Sequence, residues 1–203
     1  MTSTNNLHTF LRTRRSVRRF KPDPVPDPVI QDILTTATYA PSAHNRQPWR
    51  FCVVTALAVK QKLADAMSHD FQRDLEADKL SREEIRKRII RSRERLLSAP
   101  VVIVLSVDMT DMDSYPDTQR KKAEYLMATQ SVANAGLQLL LAAHAEGLGG
   151  VWVCSPLFAQ ETVGKTLNLP ETWEPQAMFF IGYPIEIPEA RDRKAIHQIS
   201  IFK

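Results

Sequence analysis

The sequence predicts a chain of intermixed helices and strands around one sheet, either α+β or α/β in class. The prediction rests on short apolar runs typical of strands, helical periodicity between them, and one very long helical pattern that is apolar or small on nearly every face. The chain has 203 residues, of which 43% are hydrophobic and 25% are charged. These values are typical of one compact soluble domain, so we expect residues 1–203 to form a single domain.

The first part of the chain predicts helices separated by an extended segment and a strand. Prolines at alternate positions from Pro22 to Pro28 predict extended backbone, since each one fixes φ and disfavours helix in its predecessor. Asp27 and Pro28 then predict the N-cap and first residue of a helix that runs to about Tyr39. The periodicity further predicts a helix over 7–13, a strand over 50–55 and a helix over 57–67.

A charged helical excursion is predicted next. Ser81 and Glu84 have the spacing of a capping box for a helix over 82–97, on which isoleucines and leucines form one stripe among many charges. We therefore expect residues 70–97 to cover another part of the fold and not to form a core element. The remaining pattern predicts strands over 101–107, 151–154 and 177–183, and helices over 119–146 and 158–167. The helix over 119–146 is apolar all round, which indicates burial in a large core or at a subunit interface.

Positive charge is concentrated at the start of the chain. The net charge is +4, but the first 22 residues carry six basic and no acidic residues, so the remainder carries −2. This asymmetry favours a discrete anion site over a surface that coats nucleic acid. The histidines lack metal-ligand spacing, so no metal is expected.

The sequence also favours a cytoplasmic protein. The N-terminus lacks the apolar region of a signal peptide, and the longest apolar runs are too short to span a bilayer, so no membrane association is expected. Cys52 and Cys154 are accordingly interpreted as reduced thiols.

The basic N-terminal segment suits a phosphate. Arg14, Arg15 and Arg18 offer guanidinium forks, and Ser16 adds a hydroxyl, which together can make charge-assisted hydrogen bonds to a doubly charged anion. The alternatives are a solvated basic helix end, and a patch that binds nucleic acid or a kinase.

Two later segments extend this site. The loop 40–49 carries hydroxyl and amide groups at Ser42, Asn45 and Gln47 that could read the edge of a heterocycle, although it could equally be a turn anchored by Trp49. The glycines of 147–150 follow a helix and precede a strand, which is the reverse of the dinucleotide-binding fingerprint and disfavours a Rossmann domain. Together the three segments predict a site for an organic phosphate that carries a flat ring.

In their order and spacing, four segments resemble the nitroreductase family of flavin enzymes. They read RRSVRRF at 14–20, APS and NRQPW within 40–49, GLGGVW at 147–152 and IGYP at 181–184, and the resemblance covers about residues 8 to 198. It implies an α+β fold with a central, mainly antiparallel sheet flanked by helices. It also implies an intertwined homodimer with flavin mononucleotide (FMN) at the subunit interface. The helix 119–146 would form the dimer core, and residues 70–97 would cover the active site.

The resemblance also assigns residues to the cofactor. The phosphate would be held by Arg14, Arg15 and Ser16 and closed off by Arg191 and Arg193, while Arg18 would lie near the pyrimidine side of the ring. The other subunit would supply a set of loop residues, namely Pro41, Ser42, Ala43, Asn45 and Gln47. Backbone groups would face the ring and its N5 edge at three consecutive positions, Val153, Cys154 and Ser155.

The function that the resemblance implies is hydride transfer from NAD(P)H through flavin N5 to an organic acceptor, such as a nitroaromatic compound or a quinone, with ping-pong kinetics. No side chain is assigned as catalytic, because the flavin carries the hydride. Segments 69–80, 114–117 and 157–175 also look like the flavin-binding C-terminal domain of deazaflavin-coenzyme glutamyl ligases, which implies reduction of a dehydro precursor of that coenzyme as an alternative. A cofactor-free module that binds nucleic acid is the alternative of another class.

Two features bear on the substrate. Six basic residues within 86–95 indicate an acceptor that carries a phosphate or carboxylate, with a solvated helix face as the alternative. Cys154 is a candidate nucleophile, but no partner base is evident nearby in sequence. We therefore favour a small residue whose backbone faces the flavin.

Overall fold

The fold is built on a four-stranded sheet, seen in a computed structural model that describes residues 4–203. The strand order is β1-β2-β4-β3, and each neighbouring pair is antiparallel. The strands are β1 (Trp49–Val54), β2 (Val101–Asp108), β3 (Gly149–Val153) and β4 (Trp173–Gly182). The α+β class and the antiparallel sheet are therefore confirmed.

Six α-helices occur within residues 4–203, and all but the first pack on the two faces of this sheet. They are α1 (Thr4–Thr13), α2 (Asp27–Ala37), α3 (Leu57–Ala77), α4 (Arg82–Ser98), α5 (Thr118–Ala145) and α6 (Gln160–Leu167). Alternate residues of β2 point to opposite faces, as the two-residue period of a strand requires. Ile103 joins a core formed with α2 and α5, whereas Val104 joins a core formed with α3, α4 and α6. Because β2 is buried on both faces, its sequence is a continuous apolar run.

Helix α3 is ten residues longer than predicted. Its second half is mostly polar, so the apolar pattern fades after Met67 although the helix continues to Ala77. Leu75 is buried near the end of the helix, and α3 packs against α4 as a helical hairpin. Ser81 caps α4 by accepting a hydrogen bond from the Glu84 amide at 3.2 Å, as its spacing predicts.

The starts of α2 and β4 differ from the prediction. Asp27 lies inside the first turn of α2, and the N-cap is Pro26, which makes no side-chain capping bond. Strand β4 begins at Trp173 and not at 177, although Pro175 would normally interrupt a central strand. The register of β2 shifts between Leu105 and Ser106, opposite Pro175, and this irregularity accommodates the proline.

Helix α5 is the long helix of the core. It is long and apolar enough to cross a membrane by length and composition, but half of the relevant window is buried inside the fold. On the side of α5 away from the core, Tyr125, Leu126 and Leu137 are exposed, and 54% of the surface of Leu126 and 51% of that of Leu137 is accessible to solvent. The expected all-round burial is therefore not achieved within one chain.

Two glycines shape the turn that leads from α5 into β3. Gly147 adopts a left-handed φ of 72°, and the Leu148 amide donates to the Ala143 carbonyl at 2.9 Å, which closes the helix end. Gly149 is required for a different reason. A Cβ at this position would lie 2.6 Å from the Cβ of Val17, so the N-terminal segment can approach β3 only because residue 149 has no side chain.

Replacing Gly149 by alanine should therefore destabilise the fold. We expect the free energy of unfolding to fall by about 1–3 kcal/mol, because the added methyl group overpacks against Val17. Gly164→Ala is the matched control, since Gly164 lies within α6 with open space where the new methyl group would stand, and it should be neutral or stabilising by up to about 1 kcal/mol. Urea unfolding measures both, and equal stability of the two variants would contradict the packing argument.

Candidate active site

The N-terminal basic segment lies along the edge of the sheet. Ser16 forms a parallel bridge with Gly150 of the edge strand β3, and the Val17 amide donates to the Gly150 carbonyl at 3.1 Å. Further along, the Lys21 amide donates to the Tyr183 carbonyl at 2.8 Å. These backbone bonds fix the path of residues 16–21 independently of their side chains.

Guanidinium groups from both ends of the chain meet beside this segment. Burial, together with the positive charges of Arg15 and Arg193, lowers the pKa of Arg14. Within residues 4–203, no carboxylate lies within 4.0 Å of Arg14, Arg15 or Arg193, so like charges face one another without a counter-ion from the chain. Arg193 donates to the Arg191 carbonyl at 3.2 Å, which links the two arginines of that turn through backbone. The cluster is therefore suited to an anion with more than one negative charge.

His144 is a neighbour of this cluster that the sequence analysis missed. Its ring stacks on Phe10 with centroids 4.9 Å apart, and its Nε2 lies 3.2 Å from the Thr13 hydroxyl. Burial lowers the pKa of His144, and the charges of Arg14 and Arg15 lower it further. No local signal marks this residue, because it lies 131 positions away from Thr13 in sequence.

Residues 153–155, whose backbone is expected to face the flavin ring, lie at the C-terminal end of β3. Gly150 and Val153 are three residues apart, so about 10 Å of strand separates the arginine cluster from the segment 153–155. After Ser16 the chain turns away from this end, since Phe20 bridges Pro184 just beyond the end of β4. The Arg18 guanidinium donates to the Ser16 carbonyl at 3.1 Å. Cys154 is exposed, and its sulfur accepts a hydrogen bond from the indole nitrogen of Trp152 at 3.1 Å.

The loop 40–49, which is predicted to hydrogen-bond to the edge of the flavin ring, lies away from the arginine cluster of its own chain. The Ala43 amide donates to the Ser131 hydroxyl at 3.1 Å, and Asn134 donates to the Pro41 carbonyl at 3.2 Å, so the loop is fixed to the middle of α5. The Ser42 hydroxyl accepts from the Gln47 amide at 3.2 Å, and Asn45 and Gln47 adopt left-handed backbone conformations.

This position separates the loop from the arginine cluster. Ser131 and His144 are 13 positions apart on α5, which corresponds to about 20 Å of helix. The structure therefore does not bring the two predicted halves of the site together within one chain. The expectation that a second subunit supplies this loop remains a prediction.

A cavity of about 260 Å³ opens beside the end of β3, between the sheet and the α3–α4 hairpin. Val153 and Ser155 form part of its wall, Met178 and Phe180 come from β4, and Met67 comes from α3. The charged helical excursion thus lies next to the backbone segment that is expected to face a ring. A second cavity, of about 420 Å³, adjoins the first on the side of Cys154.

Comparison with known proteins agrees with this architecture. The model of the nitroreductase family matches residues 11–183, which is most of the chain. The chain belongs to the nitroreductase family. The resemblance read from the four sequence segments is therefore confirmed.

One sequence relative and two solved structures illustrate the similarity. The Bacillus subtilis protein YfhC, which carries the name of an NAD(P)H nitroreductase, is 30% identical over 94% of this chain and 90% of its own length. A BluB-like flavoprotein from Clostridium difficile has a TM-score of 0.80 at 23% identity, over 97% of this chain and 98% of the other. A Desulfovibrio desulfuricans protein solved with FMN has a TM-score of 0.75 at 23% identity, over 99% and 98% of the two chains.

The proximity of Arg14 to His144 leads to a titration prediction. Arg14→Gln should raise the pKa of His144, because one of the charges that disfavour the imidazolium is removed. NMR titration of the imidazole measures this, and Arg19→Gln is the control, since Arg19 pairs with Glu186. An unchanged or lower pKa in Arg14→Gln would show that the two groups do not interact.

The same pKa has a consequence for stability. In the folded protein the pKa of His144 lies below its ordinary value of 6.5. As the pH falls, His144 of the unfolded chain is therefore protonated before His144 of the folded chain. The contribution of His144 to stability should therefore be complete above about pH 6.5 and decline below it. His144→Gln should reduce the pH dependence of the unfolding free energy in this range, as measured by urea unfolding at several pH values.

Proposed function

We propose that this chain is a cytoplasmic, FMN-dependent oxidoreductase that uses NAD(P)H as electron donor and a small conjugated organic molecule as acceptor. The observation that carries the proposal is the cluster of Arg14, Arg15 and Arg193 at the edge of β3, which lacks a carboxylate partner within residues 4–203. The cluster lies about 10 Å along β3 from the segment 153–155. A molecule with a phosphate at one end and a flat ring at the other fits this arrangement.

The residues present fit FMN in charge and in shape. The dianionic phosphate would be held by the guanidinium groups of Arg14, Arg15 and Arg193 and by the Ser16 hydroxyl, with Arg191 in the same turn. Arg18 would lie toward the pyrimidine side of the ring. Backbone groups of 153–155 would orient the ring, and the apolar side chains of the adjoining cavity would exclude water.

When bound, FMN supplies hydride transfer at N5, with donor and acceptor using the same face in turn in a ping-pong sequence. The part of the protein is to orient the reactants and to place charge. Holding a donor or acceptor at reacting distance contributes several kcal/mol through proximity. The positive charge of Arg18 near the pyrimidine side would favour the negative charge that develops there on reduction. Cys154 needs no role in this scheme, since its thiol is exposed and bonded only to Trp152 in the described structure.

Family membership supports this proposal beyond the geometry. The name of YfhC supports NAD(P)H as the electron donor, and the FMN in the Desulfovibrio protein supports the choice of flavin. The acceptor class comes from the resemblance, with nitroaromatic compounds and quinones as the first candidates. The dehydro precursor of the deazaflavin coenzyme belongs in the same acceptor panel.

We further propose that the active form is a homodimer. The exposed apolar face of α5, with Leu126 and Leu137, is the kind of surface that a second copy covers. The loop set of Pro41, Ser42, Ala43, Asn45 and Gln47 would then reach the flavin of the other copy. This accounts for its distance of about 20 Å from the arginine cluster of its own chain.

The phosphate assignment predicts a selective loss of FMN. Arg14→Ala or Ser16→Ala should weaken FMN binding by about ten- to hundredfold, because each removes a hydrogen bond to a charged group. Riboflavin lacks the phosphate, so its binding should change little. Flavin absorbance and fluorescence titration measure both, with Arg19→Ala as the control. Equal losses for the two ligands would show that these residues do not hold a phosphate, and protein that takes up no FMN would refute the proposed cofactor.

The dimer proposal predicts that charged residues on the exposed face of α5 will halve the mass of the protein in solution. Leu126→Asp together with Leu137→Asp should convert a dimer into a monomer in light scattering, because charges would be buried in an apolar interface. Gln31→Asp on α2 is the control, since Gln31 is exposed within residues 4–203 and lies on another helix. A wild-type monomer that still retains FMN would contradict the proposal.

The nucleic-acid alternative makes a different prediction. A basic module without cofactor would bind DNA or RNA with an affinity that falls steeply with salt. The charge outside residues 1–22 is slightly negative, which disfavours an extended binding surface. Tight, salt-dependent binding by protein that takes up no flavin would favour this alternative.

A further inference from the structure

We propose that the cavity between the sheet and the α3–α4 hairpin binds the acidic group of the acceptor, so that the acceptor is a small conjugated carboxylate or phosphate ester. The inference rests on the proposed function, because it assigns a substrate class to that same site. It is carried by the placement and pairing of the arginines on α4.

Three arginines share the face of α4 that borders the cavity. Arg88, Arg91 and Arg95 are spaced by three and four residues, which places them on one side of a helix. All three line the cavity of about 260 Å³. Arg86 lies on another face and borders a different cleft, together with Gln72 and Glu76.

Only part of this basic face is neutralised by the chain. Arg88 pairs with Glu84 at 3.1 Å. Arg93 also lines the cavity, although it lies on another side of α4, and it pairs with Asp65. Within residues 4–203, Arg91 and Arg95 have no carboxylate within 4.0 Å. They are like charges four positions apart, an arrangement that destabilises a helix by a few tenths of a kcal/mol. A bound anion would remove this repulsion, and two guanidinium groups on adjacent turns can both donate to it.

Apolar side chains form much of the remaining wall, together with the serines of the lining and Arg93. Met67 and Phe71 come from α3, Leu96 from α4, and Met178 and Phe180 from β4. This floor suits the flat body of a conjugated molecule, and the basic face of α4 suits one acidic substituent at its edge. Val153 and Ser155 line the same space, so a molecule held there would lie next to the backbone expected to face the flavin.

The neighbouring cavity sets the orientation of such a molecule. It shares Met67, Phe71 and Ser155 with the first, but its outer wall carries carboxylates of α3 and the following turn, namely Asp70, Asp74 and Asp78. Arg73 pairs with Asp70 and Asp74, and within residues 4–203 no basic group lies within 4.0 Å of Asp78. An acidic substituent would therefore be attracted by Arg91 and Arg95 and would meet the charge of Asp78 on the other side. The two cavities together therefore favour one direction of entry for a charged acceptor.

The test compares matched charged and neutral acceptors in the oxidative half-reaction alone. FMN-loaded protein is reduced photochemically, and its reoxidation by 4-nitrobenzoate or 4-nitrobenzamide is followed by stopped-flow absorbance. The double variant Arg91→Gln and Arg95→Gln should lose about ten- to hundredfold in the second-order rate constant for 4-nitrobenzoate, and less than about twofold for 4-nitrobenzamide. Arg86→Gln should change neither rate. The ratio of variant to wild type cancels the intrinsic reactivity of each compound.

Several outcomes would overturn the inference. Equal losses for the two compounds, or no loss for 4-nitrobenzoate, would show that the arginines do not recognise the acid. A loss confined to flavin reduction by NADPH, measured separately, would assign them to the phosphates of the electron donor instead.

A binding measurement separates this inference from the proposed function. Calorimetry with benzoate and benzamide requires no hydride transfer, and the wild type should prefer benzoate by a margin that shrinks in the double variant and at higher salt. The absence of that preference would overturn the inference even in an active flavoenzyme. Conversely, preference for benzoate in a protein that reduces no compound of the acceptor panel would support the anion site and refute the proposed activity.

Discussion

The site depends on the attachment of residues 16–21 to the edge of the sheet. An edge strand presents unpaired backbone groups, and the Gly150 carbonyl of β3 is occupied by the Val17 amide. The close approach is possible because Gly149 has no side chain to displace Val17. Backbone hydrogen bonds and apolar packing therefore hold Arg14 and Arg15 near Arg193, although these charges repel one another. An arrangement of this kind is favourable only with water or an anion among the guanidinium groups.

The sequence predicted the parts of the fold whose cause is local. The apolar run of β2 and the capping hydroxyl of Ser81 each follow from a few neighbouring residues, and both occur in the structure. The second half of α3 was missed because its sequence is mostly polar, and the burial of Leu75 there depends on tertiary packing. Strand β4 was cut short because the irregularity that tolerates Pro175 lies in β2, on a separate segment of the chain.

The same distinction applies to the site. Residues 14–18 and 147–155 could be proposed as parts of the site because each motif is short and contiguous in sequence. His144 was missed, because only the fold brings it to Thr13 and Arg14. The pairing of the α4 arginines was also invisible in sequence. Asp65 lies 28 positions before Arg93, so the packing of the α3–α4 hairpin decides which guanidinium groups keep a free charge.

The position of the loop fixed by Ser131 and Asn134 has a thermodynamic consequence if the proposed two-copy site is correct. Cofactor affinity and self-association would then be linked, since each copy would complete the pocket of its partner. Dilution would weaken flavin retention, and added flavin would strengthen assembly by the same factor. The apparent dissociation constant would thus vary with protein concentration, and a titration at a single concentration would report the linked equilibrium and not an intrinsic affinity.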